Sequence, residues 1–253
     1  MIGPPTFFVG LRDTPGFAVE RVRSVRLISC GGAGVTPSFV AETSEIFESV
    51  VKRTYGSTEA PTVTTGHAGD DPIRLRDTDG RPTGQVRIHI GPSDELWVRG
   101  PELFVGYTDP ARTAETVGLD DHGAEWFRTG DVGRLDGDWL TVTGRIKDLI
   151  IRGGENISAA EVESTLEAHP SVRQAVAVGE PDERLGEKVC AFVVCVPGGS
   201  FDLAACRSWF EDQGLTRFKT PERVVVVAEL PVLAAGKIDR AALRTRAATF
   251  SEG

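Results

Sequence analysis

The sequence predicts an α/β segment, followed by a β-rich, barrel-like segment and then by a small α+β domain. Three observations support this order. An apolar run, a helical pattern and a second apolar run open the chain; short strand-like runs fill the middle; helical and strand patterns alternate in the tail. The 253 residues suffice for one large domain or two modest ones. We place the segments at residues 1–83, 84–146 and 147–253.

A strand-loop-helix-strand unit is predicted near the start. The run VRLISC at 25–30 is typical of a buried strand, and a glycine turn at 31–34 follows it. Thr36 with proline after it indicates a helix start, and apolar residues at helical spacing continue to Val51. A second strand is expected over 52–55. If the two strands are parallel, both loops lie at the sheet edge where α/β proteins bind ligands.

The middle and the tail differ in their patterns of apolar residues. The strand-like runs of the middle are VRIHI at 86–90, LWVRG at 96–100 and WLTVT at 139–143. In the tail we expect a capped helix from Ser158, strands at 172–178 and 189–196, a helix over 201–213, a strand at 223–228 and a helix from Asp239. This new mixture indicates that the tail is a domain of its own.

Composition excludes several classes of protein. The formal charge of −9 argues against nucleic acid or an anionic membrane as the main partner, although a small anionic ligand remains compatible. No apolar run is long enough for a transmembrane helix, and the first residues lack the layout of a signal peptide. The cysteines, at 30, 190, 195 and 206, have neither zinc-site nor disulfide-framework spacing. We therefore expect a soluble, cytoplasmic protein.

The segment YGSTE at 55–59 combines groups that suit a nucleotide. An aromatic ring, a glycine, two hydroxyls and a carboxylate could stack a purine, approach phosphate and hold a hard cation. Such turns after strands are common, so a capped polar loop is the alternative.

The segment WFRTGD at 126–131 ends in a second candidate. A carboxylate accepts two hydrogen bonds at once, so Asp131 could hold the vicinal hydroxyls of a ribose. A plain Gly-Asp turn between strands is the alternative, as Asp136-Gly137 nearby illustrates.

The segment GRIKDLIIRGGENIS at 144–158 lies where the composition changes. Two cations, an acid and paired glycines before a capped helix suit a linker that turns and a backbone that closely approaches a ligand. A basic connector with a glycine turn remains the alternative.

The segment AGKIDR at 235–240 contributes a lysine far from the other motifs. On a glycine turn, Lys237 could neutralise negative charge that develops on phosphate and carboxylate oxygens. An ordinary solvated lysine is the alternative.

The order of these segments resembles the adenylate-forming superfamily of acyl-CoA synthetases, luciferases and peptide-synthetase adenylation domains. The agreement extends from Ser24 to Leu243, and the run GRIKD to EVE is its most specific part. It looks closest to the medium- or long-chain acyl-CoA ligases. The resemblance implies that residues 1–146 are the last α/β segment and β-barrel of a large AMP-binding domain. Residues 147–253 would be its mobile C-terminal domain.

The resemblance also implies roles for individual residues. For the nucleotide these are Gly32 and Ala33 along the adenine and acyl pockets, Tyr55 on adenine, Gly56 and Ser57 in the binding loop, Thr58 at the α-phosphate, Glu59 as catalytic Mg²⁺ ligand, and Asp131 and Arg145 at the ribose. For the tail these are Asp148 as hinge, Gly153 and Gly154 along the pantetheine tunnel, and Lys237 as the catalytic residue of adenylation.

The implied reaction joins a fatty or other carboxylic acid to coenzyme A through an acyl-adenylate, with ATP and Mg²⁺. The superfamily carries a Ser/Thr/Gly-rich phosphate loop ending in lysine before the glycine turn, and the sequence contains none. We therefore expect a truncated chain, or one whose other half comes from another polypeptide or copy. The alternatives are a non-catalytic nucleotide-binding module and an amino-acid adenylation domain that serves a carrier protein.

Overall fold

The computed structural model describes residues 1–32, 34–233 and 238–250. The chain divides into two compact units, Met1–Thr143 and Gly144–Gly253. The boundary between the units, after Thr143, lies three residues before the one expected after residue 146. The domain assignment itself stays a prediction. No helix within the described ranges combines the length and the apolar character that a membrane crossing requires.

The first sheet of the first unit is α/β, as the sequence predicts. Its strands are β1 (Ile2–Gly3), β2 (Leu27–Gly31), β3 (Val50–Tyr55), β4 (Thr64–Thr65) and β5 (Arg81–Pro82), and they lie in this order. The helices are α1 (Pro5–Arg12), α2 (Val19–Val22), α3 (Pro37–Phe47) and α4 (Pro72–Asp77). Strands β1, β2 and β3 are parallel, so the loops after β2 and β3 lie at one edge.

Helix α3 begins where the sequence indicates but ends earlier. The Thr36 hydroxyl oxygen accepts the Phe39 N–H at 3.2 Å, which caps the helix. Glu48 adopts a left-handed backbone with φ of 47° and ends the helix after Phe47. The expectation that the helical pattern includes Val50 and Val51 is therefore wrong. Both residues open β3, because the reversal at Glu48 brings the chain back alongside β2.

The β-rich segment forms an open sheet. Its strands are β6 (Arg87–Ile90), β7 (Glu95–Arg99), β8 (Val117–Leu119), β9 (Glu125–Asp136) and β10 (Trp139–Arg145), with helix α5 (Pro110–Glu115) before β8. The order is β10-β9-β7-β6, and β8 pairs with β9. Within the described residues the expected barrel does not close, because closure requires the end strands to hydrogen-bond, and β6 does not pair with β10.

The second unit is α+β. Its strands are β11 (Leu149–Arg152), β12 (Glu155–Ser158), β13 (Val172–Asp182), β14 (Gly186–Cys195) and β15 (Arg223–Val226), and its helices are α6 (Ala159–Glu167), α7 (Leu203–Asp212) and α8 (Arg240–Ala248). The order is β12-β11-β14-β13, with β15 beside β14. Ser158 caps α6 and Asp239 caps α8, at the positions that the sequence indicates. All four cysteines of the chain are free thiols.

A half-buried carboxyl makes the second unit sensitive to pH. Loss of hydration, with a smaller contribution from the negative charge of Glu163, raises the pKa of Glu167 from its ordinary 4.5 to about 7. The folded state therefore keeps a proton that the unfolded chain loses near pH 4.5. Because the folded state binds more protons, its free energy of unfolding falls as pH rises from about 4.5 to about 7.

Glu167→Gln should remove this pH dependence. The amide oxygen of Gln can still accept the Ala175 N–H, which Glu167 accepts at 3.1 Å. At pH 8 we expect the variant to be more stable by about 1–3 kcal/mol, and near pH 4.5 the difference should vanish. Urea unfolding followed by circular dichroism at the two pH values measures this. An equal gain at both values would contradict the role of the carboxyl charge.

Candidate functional site

The edge formed by the loops after β2 and β3 is closely packed. A Cβ on Gly31 would lie 2.4 Å from the Thr54 carbonyl oxygen, and one on Gly56 would lie 2.4 Å from that of Pro61. Only glycine fits at either position. Gly32 has a positive φ of 78° and is exposed at the turn. Ala33, the other residue expected to line the adenine and acyl pockets, lies outside the described residues.

Tyr55 and Asp131 meet although 76 residues separate them. The Tyr55 hydroxyl donates to Asp131 Oδ2 at 2.7 Å, joining the end of β3 to a turn within β9. Asp131 is only 6% exposed, and its backbone N–H donates to the Thr129 hydroxyl oxygen at 3.0 Å. The Tyr55 ring also packs against a small apolar cluster that includes Val63 and Val98. The structure thus places an aromatic ring and a carboxylate side by side.

The loop after Tyr55 is stabilised by its own hydrogen bonds. The Ser57 N–H donates to the Ala60 carbonyl oxygen at 2.8 Å, and the Ser57 hydroxyl oxygen accepts the Ala60 N–H at 3.2 Å. These two hydrogen bonds fix the ends of the turn to each other. Thr58, at its tip, is exposed, which leaves its side chain accessible to a ligand in solvent.

Glu59 is held by a residue that sequence reasoning missed. The Tyr107 hydroxyl donates to Glu59 Oε1 at 2.7 Å, and the Phe104 N–H donates to the Glu59 carbonyl oxygen at 2.8 Å. The hydrogen bond to Glu59 raises the pKa of Tyr107. The rings of Phe104 and Tyr107 pack edge to face with their centroids 4.9 Å apart. The two aromatic residues that contact Glu59 therefore also contact each other.

The donor set at Glu59 fits a magnesium ion that is shared with a phosphate. Within the described residues no group of three or more His, Cys, Asp or Glu could enclose a metal. Mg²⁺ commonly binds one or two carboxylates and takes its other oxygens from substrate phosphates and water. Glu59, half-buried in its loop next to the exposed Thr58, is a carboxylate of this kind.

A cavity of about 260 Å³ lies beside these residues in the first unit. Its lining combines carboxylates, hydroxyls and one guanidinium, and it includes Glu59, Glu95, Tyr107, Arg128, Thr129 and Gly130. The lining connects the loop after β3 with the turn that contains Asp131. Two of the segments selected from sequence, YGSTE and WFRTGD, therefore share one concave surface.

The expected hinge and pantetheine-tunnel residues lie in the second unit, and so does Arg145, which is expected at the ribose. Arg145 ends β10 and is exposed. Asp148 accepts a hydrogen bond from Arg244 Nη2 at 2.7 Å, so the expected hinge residue contacts helix α8. Gly153 and Gly154 form the two-residue turn between β11 and β12, with φ of 58° and 91°. These positive values are those that a tight hairpin turn requires. Lys237 lies outside the described residues.

Sequence reasoning missed Glu95 and Tyr107. The sequence did contain a signal for Glu95. This carboxylate directly precedes the apolar run LWV, which is typical of a buried strand, and a charged side chain buried there needs a hydrogen-bonding partner. No comparable signal marks Tyr107, whose partner Glu59 lies 48 residues earlier in the chain.

Comparisons with known proteins find two family models along this chain. Residues 1–108 match the family model described as "AMP-binding enzyme", and residues 161–237 match "AMP-binding enzyme C-terminal domain". A methyl-dioxo-octahydro-indenyl-propanoyl:CoA ligase of Rhodococcus jostii (strain RHA1) is 37% identical over 96% of this chain and 47% of its own. The medium-chain fatty-acid–CoA ligase of Escherichia coli (strain K12) is 35% identical over 96% of this chain and 44% of its own.

A solved structure gives the same result for the fold. The crystal structure of ATP-bound MatB from Rhodopseudomonas palustris superposes with a TM-score of 0.85 at 29% identity. The match covers 98% of this chain and 51% of that one. The chain thus spans about half the length of the relatives that it matches.

Proposed function

This chain belongs to the adenylate-forming superfamily of AMP-binding enzymes, and we propose from this premise that it supplies the AMP site and tail domain of an acyl-CoA synthetase. Such an enzyme joins a fatty or other carboxylic acid to coenzyme A at the expense of ATP. The contact of Tyr55 with Asp131 at 2.7 Å, beside the Glu59 loop, is the observation that carries the proposal. It joins the groups needed for adenine and for ribose.

The nucleotide is proposed to bind at the edge after β2 and β3. The Tyr55 ring stacks on adenine, and Thr58 meets the α-phosphate. Asp131 accepts hydrogen bonds from the ribose hydroxyls, and the Arg145 guanidinium donates to the hydroxyl oxygens. The glycine turn with Gly32 and Ala33 lines the adenine and acyl pockets, and Gly56 and Ser57 shape the phosphate side. Since Asp131 is buried and already oriented by Tyr55, little freedom is lost when it accepts the ribose.

Glu59 is proposed to hold the magnesium ion. When bound, Mg²⁺ neutralises charge on the phosphate oxygens. The Glu59 carboxylate would be the protein ligand. Its Oε1 accepts a hydrogen bond from the Tyr107 hydroxyl, which orients the side chain in the loop. Tyr107 thereby restricts the rotamers of Glu59 before any ligand arrives.

The two half-reactions are proposed to share this site. In the first, a carboxylate oxygen attacks the α-phosphorus of ATP, the bond to pyrophosphate breaks, and an acyl-adenylate forms. In the second, the coenzyme A sulfur attacks the acyl carbon and AMP leaves. We assign Lys237 to the first step. Rotation of a mobile tail domain at Asp148 then brings the backbone of Gly153 and Gly154 against pantetheine in the second.

Pyrophosphate release tests the whole proposal. The protein that contains this chain is supplied with ATP, Mg²⁺ and a panel of fatty and aromatic acids, with and without coenzyme A. Acid-dependent pyrophosphate release and a thioester product are the expected results. AMP binding without turnover would favour the non-catalytic module. Transfer of an activated amino acid to a carrier protein would favour the adenylation domain.

Asp131→Ala should weaken AMP binding about 100-fold. Two hydrogen bonds from ribose hydroxyls to a carboxylate contribute about 2–4 kcal/mol, and about 1.4 kcal/mol corresponds to a factor of ten. Isothermal titration calorimetry of AMP measures the loss. Tyr55→Phe serves as the matched control, because it removes the hydroxyl that contacts Asp131 while keeping the ring. Its loss should be smaller, and unchanged affinity in Asp131→Ala would exclude the ribose role.

A further inference from the structure

Strand β9 departs from regular pairing where it carries Asp131. Trp97 pairs with Arg128 and Glu95 pairs with Val132 across β7 and β9. Between these pairs β7 has one residue, and β9 has the three residues 129–131. The surplus forms a bulge that turns the chain out of the ladder at Gly130, whose φ is 72°. Bulges of this kind re-aim side chains next to functional sites.

A buried carboxylate accepts the backbone N–H that the bulge removes from the strand ladder. Glu95 is 4% exposed, and its Oε1 accepts the backbone N–H of Gly130 at 3.1 Å. Its Oε2 accepts Trp97 Nε1–H at 2.9 Å and Arg128 Nε–H at 3.0 Å. The carboxylate therefore holds one donor from the bulge and two from the neighbouring strand positions. A backbone N–H displaced from the ladder needs such a partner.

A second side chain completes the support. The Thr129 hydroxyl donates to the Leu96 carbonyl oxygen at 2.7 Å and accepts the Asp131 N–H at 3.0 Å. Thr129 thus makes hydrogen bonds to both β7 and β9, and Glu95 makes the further hydrogen bond to the turn at Gly130. The side chain of Asp131, the next residue after this turn, accepts the hydrogen bond from the Tyr55 hydroxyl.

We infer that Glu95 is a positioning residue for nucleotide binding: it fixes the bulge that aims the Asp131 carboxylate at the ribose hydroxyls. Glu95 acts through the Gly130 N–H. The inference rests on the proposed function, because it concerns the ligand that Asp131 is proposed to hold. It predicts a defect specific to the ribose hydroxyls, whereas a general loss of packing would weaken every ligand alike.

The test compares AMP with 2′,3′-dideoxy-AMP, which lacks both hydroxyls, by calorimetry on the full chain. In Glu95→Gln one amide oxygen must serve three donors, and the new amide N–H₂ faces donors as well. We expect the preference for AMP to fall about tenfold, with dideoxy-AMP affinity nearly unchanged. Glu125→Gln is the matched control, since this exposed carboxylate lies at the start of the same strand, away from the bulge, and should leave the preference unaltered.

A second variant covers the case in which Glu95→Gln does not fold. Thr129→Val removes the other support of the bulge and should lower the same preference. Equal loss for both nucleotides, or an unchanged preference in both variants, would overturn the role of Glu95. If wild type shows no preference, or Asp131→Ala retains it, the proposed ribose role itself is rejected.

Discussion

Replacement of Lys237 by Ala should reduce acyl-adenylate formation by about 10²–10³-fold in the protein that contains this chain. Negative charge shifts onto phosphate and carboxylate oxygens as the new bond forms, and a positioned ammonium group stabilises that charge. Removal of one such stabilising group typically costs catalysis by this factor. ATP–pyrophosphate exchange in the presence of the acid measures the first half-reaction alone.

The same variant should retain thioester formation from a supplied acyl-adenylate, because the bond that breaks in that step joins the acyl carbon to oxygen and no bond to phosphorus is made or broken. Lys219→Ala is the matched control: this lysine also lies in the second unit but pairs with Glu161 at 2.7 Å. It should leave both half-reactions near wild type. If Lys237→Ala lowered both half-reactions equally, the assignment to adenylation would be excluded.

The described residues that flank Lys237 are held firmly. Val232 and Ile238 form an antiparallel bridge, and the Asp239 N–H donates to the Pro231 carbonyl oxygen at 2.8 Å. Arg240, the first residue of α8, pairs with the Glu163 carboxylate through two contacts of 2.7 Å. Arg240→Ala should therefore impair adenylation as well, and less strongly than Lys237→Ala, because it loosens the start of the helix without removing the ammonium group.

Glu180→Leu should destabilise the second unit strongly, by about 3–5 kcal/mol. Glu180 is fully buried, yet its carboxylate accepts Arg223 Nε and Nη2 at 2.7 and 3.0 Å and lies 3.0 Å from Lys188 Nζ. These groups belong to β13, β15 and β14, respectively. An apolar residue there would leave two cations without the acceptor that binds the three strands together.

The charge on Glu180 also sets the pH at which this contribution disappears. Burial opposes ionisation, but the hydrogen bonds from Arg223 and Lys188 hold the pKa of Glu180 below its ordinary 4.5. The stabilisation is therefore fully present above about pH 4.5 and is lost as pH falls through the lower folded value. Urea unfolding at pH 7 measures the loss in Glu180→Leu.

An exposed ion pair provides the comparison for Glu180. Arg74 and Asp136 form a pair whose side chains are 40% and 71% exposed, so Asp136→Ala should cost less than about 1 kcal/mol. If Glu180→Leu were as mild as Asp136→Ala, the three-strand cluster would not be a source of stability.

Elements set by neighbours in sequence were predictable. The caps at Thr36, Ser158 and Asp239 follow from rules that act over a few residues. The same rules misplaced the end of α3, because the Val50 and Val51 side chains fit either helical or strand spacing. The reversal at Glu48 decided between them.

Sequence by itself determined which groups are candidates for a nucleotide site: an aromatic ring at 55, a carboxylate at 59 and another at 131. Only the tertiary structure decided which of them touch. Tyr55 reaches Asp131 across 76 residues, and Glu95 reaches Gly130 across 35, through strand pairing and a bulge. No local pattern encodes such contacts, because they depend on how distant strands align, and that alignment is chosen by the free energy of the whole core.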